Sequence, residues 1–81
     1  MIYDTLTKRE KEVLDYIMWG LSSDEIARLL YLSYGRISAI TYNLYDKYNI
    51  DSKPFRVKLI LKRFKELGID TRDLTATKAV F

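Results

Sequence analysis

The chain contains no cysteine and no histidine among its 81 residues. That removes disulfide frameworks and the usual zinc-site ligands. It also removes every Ser-His and Cys-His pair, and with them the side chain that titrates nearest neutral pH. One proline and three glycines leave few signals for loops or hairpins. No apolar run approaches the roughly 20 residues of a membrane span. The opening stretch MIYDTLTKRE lacks the pattern of a secretory signal. A cytoplasmic protein without membrane contact is expected. What the chain does have is 48% hydrophobic and 31% charged residues, the balance of a folded domain, and seven tyrosines.

Charge is spread unevenly. Residues 1–52 carry six basic and eight acidic side chains, residues 53–81 eight basic and three acidic. The positive field therefore gathers toward the C-terminal end. Five of the seven tyrosines lie instead in the stretch YLSYGRISAITYNLYDKYNI, residues 31–50, whose only charged side chains are Arg36, Asp46 and Lys47.

Four helical segments are predicted and no strand, so the class is all-α. The first runs from about Lys8 to Trp19, opened by a Thr7–Glu10 capping box and stopped at Gly20. Val13, Leu14, Ile17 and Met18 give it a helical apolar stripe. The second, about Ser23 to Leu30, repeats the capping-box spacing at Ser22 and Glu25 and buries Ile26, Ala27, Leu29 and Leu30. The third begins after Ser33 as N-cap and ends near Tyr48. The fourth is capped by Asp51 or Ser52, carries Pro54 in its first turn, and runs to about Leu67 before Gly68. Residues 1–69 form one domain on this reading, and residues 70–81 a partly ordered tail. The carboxylates of Asp24 and Glu25 fit the first turn of a helix, and no catalytic, metal or cofactor site is expected.

Only Tyr31, Leu32 and Ser33 separate the second and third helices, which is a helix-turn-helix spacing. At about 100° per residue, Ile37, Ile40, Thr41, Leu44 and Tyr48 share the inward face of the third helix. Gly35, Arg36, Ser38, Ala39, Tyr42, Asn43 and Asp46 share the outward one. Small residues let a helix lie deep in a major groove. Serine and asparagine can bond base edges, and alanine or tyrosine can meet a thymine methyl.

Several separated motifs then fall into one pattern. Leu6, Thr7, Arg9, Glu10, Glu12, Val13 and Leu14 meet L-T-x-R-E-x-E-V-L. Gly20, Leu21, Ser22, Glu25, Ile26 and Ala27 meet G-L-S-x-x-E-I-A. Leu32, Ser33, Ile37, Lys47, Tyr48 and Ile50 follow the later motifs more loosely. Over residues 6 to about 65 the chain resembles the LuxR/FixJ-type (GerE-like) helix-turn-helix family. The resemblance implies a four-helix DNA-binding domain whose third helix enters the major groove and whose fourth often forms a dimer. It places base reading on Ser38, Ala39 and Tyr42. It places phosphate contacts on Arg36, Asn43 and Lys47, supported by Lys8 and Arg9. None of the base-reading positions is a lysine or arginine.

In the basic segment KPFRVKLILKRFK, helical angle assigns Val57, Ile60, Leu61, Phe64 and Leu67 to the core. Phe55 and Leu59 fall on a second face, about 40° apart, where they would form a dimer interface. Lys58, Lys62 and Lys65 line one flank, Arg56 and Arg63 the other. Backbone attraction to DNA can come from these cations even though the third helix carries few, because counterion release counts neutralised phosphates and not the helix that supplies them. The expected protein is a stand-alone, homodimeric, sequence-specific regulator acting on double-stranded DNA. The alternative is a helix-turn-helix module that docks on another regulator or on RNA polymerase and has little DNA affinity of its own.

Overall fold

In the computed structural model, which describes residues 1–69, a single 3-10 turn at Ile2–Thr5 precedes four α-helices: α1 (Lys8–Met18), α2 (Ser23–Leu30), α3 (Tyr34–Lys47) and α4 (Phe55–Glu66). The all-α class stands. The tail expected at residues 70–81 lies outside the described residues.

Three of the four helix starts follow from a side chain that accepts the backbone N–H three residues on. Thr7 Oγ1 accepts the Glu10 N–H at 3.1 Å while Glu10 Oε1 accepts the Thr7 N–H at 2.9 Å. Ser22 and Glu25 make the same reciprocal pair. Ser33 Oγ accepts the Arg36 N–H at 3.1 Å. Each pair satisfies backbone donors that a helix start leaves open. Gly20 ends α1 with φ +88°, a conformation that costs glycine little. Tyr31 ends α2 in the left-handed region at φ 55°. That position commonly falls to glycine, and the Leu32 N–H returns to the Ala27 carbonyl across the turn.

Helix α3 packs on α1, α2 and α4. Ile37, Ile40, Leu44 and the C-cap Tyr48 are buried from it, against Val13, Leu14 and Ile17 of α1, Ile26 and Ala27 of α2, and Leu59 of α4. Thr41 is buried as well, its hydroxyl donating to the Ile37 carbonyl at 2.8 Å. The expected inward face of α3 is therefore the observed one. On α2, Leu29 departs from expectation and is exposed.

Helix α4 differs most from the sequence reading. Neither Asp51 nor Ser52 caps it. Pro54 is its N-cap, and no side-chain cap bond forms. Leu59, expected on a free face, is fully buried, and Phe55 is half-buried with its ring stacked on Tyr45 at 5.4 Å. Val57, Leu61 and Leu67, expected inside, are exposed, while Ile60 packs against the core's edge. The rotation is explained by Arg63, which is buried beside Leu59 and forms an ion pair with Glu66 at 3.4 Å. Its guanidinium lies 3.8 Å from the centre of the Tyr3 ring, a favourable cation–π arrangement. Glu66 in turn accepts the backbone N–H groups of Ile2 and Tyr3 and the Tyr48 hydroxyl. A face containing two charges thus becomes a buried one because every charge on it is matched. Leu59 is a core residue and Phe55 a core-edge one, and they do not form a free interface.

Candidate nucleic-acid interface

The outer face of α3 carries the sequence-selected residues together. Arg36, Ala39, Tyr42 and Asn43 are exposed, and Ser38 is half-buried at their edge. Ser33 fixes the start of the helix, and the buried Ile37–Ile40–Leu44 stripe fixes its roll, so these side chains point away from the core by construction.

Two shallow grooves flank this face. On one side a groove of about 230 Å³ is lined by Thr7, Arg9 and Glu10 of the α1 start and by Arg36, Ala39, Ile40 and Asn43 of α3. Arg9 and Arg36 are thereby brought to one rim although 27 positions separate them in the chain. Arg9 also holds Glu12 at 3.2 Å, and Lys8 stands exposed next to it. Among the described residues Arg36 has no carboxylate partner. A cation in the first turns of a helix faces the positive end of the helix dipole, so an external anion would satisfy it.

On the other side a cleft of about 150 Å³ is lined by Ser38, Tyr42 and Tyr45 with Tyr34, Thr41, Ser23 and Arg56. Sequence reasoning missed Tyr34, Ser23 and Arg56 as neighbours of the outer face of α3. Tyr34 opens α3 and is exposed, so the helical angle that selected Ser38 and Tyr42 could have included it. Arg56 donates to the Leu21 carbonyl and to Ser23 Oγ. That tie between the starts of α4 and α2 has no local signature.

Lys47, a phosphate contact on the resemblance, is engaged in an ion pair within the protein. Its Nζ lies 2.7 Å from Glu10 Oε1, and its side chain is 38% exposed. Burial pushes the Glu10 carboxyl up. The Lys47 and Thr7 hydrogen bonds and the Lys47 charge outweigh burial and hold it below its usual value. Lys47 thus joins the end of α3 to the start of α1, and part of its charge is already matched inside the protein. Tyr48, below it, is driven upward by burial and by its hydrogen bond to Glu66, so its hydroxyl stays a donor at all ordinary pH values.

Aromatic contacts stiffen the face. Tyr42 and Tyr45 meet edge to face with centroids 5.9 Å apart, and Tyr45 stacks on Phe55 with the ring planes 28° apart. A separate groove of about 470 Å³ lies between α1 and α4. It is lined by Glu12, Asp15, Tyr16, Met18, Trp19, Arg63 and Leu67 and shares no residue with α3. Among the described residues no group of three acidic, histidine or cysteine side chains could hold a metal, and no helix is long and apolar enough to cross a membrane.

The family model described as bacterial regulatory proteins, luxR family, matches residues 4–60. The chain is 40% identical over 48 residues to the probable csgAB operon transcriptional regulatory protein of Salmonella typhimurium (strain LT2). It is equally similar to the CsgBAC operon transcriptional regulatory protein of Escherichia coli (strain K12). In both cases the match covers 59% of this chain and 22% of the relative, so the chain spans well under half of their length. No solved structure gives a significant match.

Proposed function

The chain belongs to the luxR family of bacterial regulatory proteins, and from that premise we propose that it binds double-stranded DNA as a transcriptional regulator with α3 in the major groove. The observation that carries the proposal is the exposed face of α3. It is free of carboxylates from Gly35 to Leu44 and edged by Arg36 and Arg9 on one groove rim. Ser38, Ala39 and Tyr42 would meet base edges and thymine methyls. Lys8, Arg9, Arg36 and Asn43 would hold phosphates and set the register. Lys47 would contribute to the field while remaining tied to Glu10. Regulation of transcription is the role printed in the names of both relatives.

Electrophoretic mobility shifts on random duplex across a salt series test this reading. Log affinity should fall linearly with log salt, with a slope of about −0.9 for each phosphate neutralised. Selection of bound sites from a random pool should then return a preferred sequence. Absence of any salt-dependent binding would overturn the proposal.

A second reading, docking on another regulator or on RNA polymerase, is favoured by one feature. Trp19 is 81% exposed at the rim of the apolar groove between α1 and α4, and exposed apolar surface of that kind often marks a protein contact. The same salt series separates the two, since an interaction module would leave the duplex unshifted.

Assembly through α4 belongs to the proposal with a changed surface. Val57 and Leu61 are exposed and one turn apart, and they take the place of Phe55 and Leu59 as the two-fold contact. A dimer would meet half-sites about one helical turn apart.

A further inference from the structure

The three rings of Tyr42, Tyr45 and Phe55 form a continuous path from the outer face of α3 to the start of α4. Tyr42 is 68% exposed. A phenol standing alone on a helix surface would sample several rotamers, and ordering it on DNA would cost side-chain entropy. It does not stand alone. Its ring meets the edge of Tyr45 at 5.9 Å and 88°, an arrangement the ring quadrupole favours. Tyr45 lies three residues on, so both rings rise from the same side of the helix. Tyr45 is half-buried, and Phe55 is stacked against it at 5.4 Å.

Phe55 is the first residue of α4. Its neighbour Arg56 fastens that end of the helix to the Leu21 carbonyl and Ser23 Oγ at the start of α2. The stack therefore rests on the helix-turn-helix unit and not on a loose loop.

We infer that Tyr45 and Phe55 are positioning residues that hold Tyr42 in its base-reading orientation, and so set sequence discrimination without touching DNA. This rests on the DNA-binding function proposed above. Pre-ordering Tyr42 adds to affinity only where its ring and hydroxyl meet a matching base pair. Random DNA gains nothing, and no cation is involved.

The test uses the 81-residue chain with Phe55→Leu and Tyr45→Leu, each keeping a sizeable apolar side chain without the ring, and Phe55→Tyr as the conservative variant. Thermal melts confirm that each is folded at the assay temperature. The preferred duplex is the one selected from a random pool, and the competitor is random duplex. Phe55→Leu and Tyr45→Leu should lower the preferred-to-random affinity ratio about two- to ten-fold, the worth of an aromatic pair. Affinity for random DNA and the salt slope should not change. Phe55→Tyr should restore the ratio. In a Tyr42→Ala background Phe55→Leu should cost nothing further, because it acts through the ring already removed.

Aromatic proton shifts of Tyr42 in the free protein supply the readout that needs no DNA, and Phe55→Leu should move them. Unmoved shifts, an equal loss on both duplexes, or an undiminished effect in the Tyr42→Ala background would each overturn the inference. A wild-type protein that selects no sequence would overturn the function proposed above, and the ring shifts keep that failure separate from failure of the brace.

Discussion

Arg36 and Lys47 look equivalent in the sequence, two cations on one sparsely charged helix, yet the structure gives them different work. Arg36 has no carboxylate partner among the described residues, whereas Lys47 is 2.7 Å from Glu10. Arg36→Ala should weaken binding by a similar factor on all duplexes and flatten the salt slope by about one, with little change in melting temperature. Lys47→Ala should act mainly on stability, costing about 1–2 kcal/mol. That is below the cost of breaking a fully buried pair, because Lys47 is partly in water. Mobility shifts across salt, set beside thermal melts, check both. Equal behaviour of the two variants would remove the distinction. The difference was not legible in the sequence because Glu10 and Lys47 are 37 positions apart. The capping role of Glu10 was legible, because it is a relation across three residues.

Among the elements, α1, α2 and α3 were readable from local chemistry. Their starts rest on Thr7–Glu10, Ser22–Glu25 and Ser33, and their buried faces on aliphatic side chains at helical spacing. In α3 only one face is strongly aliphatic, so the roll was fixed and the outward face followed from it. Helix α4 has apolar residues on two faces, and hydrophobicity alone favoured the larger set. Packing chose the smaller set, with Leu59 at its centre, because Arg63 and Glu66 are matched by Tyr3, Tyr48 and the backbone of Ile2. Those partners lie up to 64 positions away, beyond any periodicity argument. The two faces now separate cleanly by experiment. Leu59→Glu should unfold the domain, since a buried unpaired carboxylate removes much of a marginal stability of about 5–15 kcal/mol. Leu61→Glu should leave the fold intact and abolish any self-association. Circular dichroism and sedimentation, with and without a palindromic duplex, read the two effects. A folded Leu59→Glu protein would contradict the observed roll of α4.

At the scale of the whole molecule, two carboxylates tie together parts that the chain keeps apart. Glu10 joins the start of α1 to the end of α3, and Glu66 joins the end of α4 to the N-terminal turn and to Tyr48. For both, burial pushes the pKa up. Hydrogen bonds from Lys47 and Thr7 in one case, and from Tyr48, Tyr3 and Ile2 in the other, outweigh it and hold the group below its ordinary 4.5. The unfolded chain therefore binds protons on these groups at a pH where the folded chain does not. Stability must rise with pH across that interval. Their contribution is fully present above about pH 4.5, the ordinary glutamate range, and is lost as pH falls through the folded values. Melting temperature should accordingly be nearly level from about pH 6 to 8 and drop steeply below 4.5. Glu66→Gln should lower it at neutral pH, through a loss of stability of about 1–3 kcal/mol for the unsatisfied partners left behind, and should make the acid limb shallower. Combining it with Glu10→Gln should flatten that limb further. A residual slope should remain from the exposed Glu25, which the Ser22 hydrogen bonds also hold low. Thermal melts of the wild type, the two single variants and the double variant from pH 3 to 8 decide the matter, and an acid limb equally steep in all four would show that neither carboxylate carries the linkage.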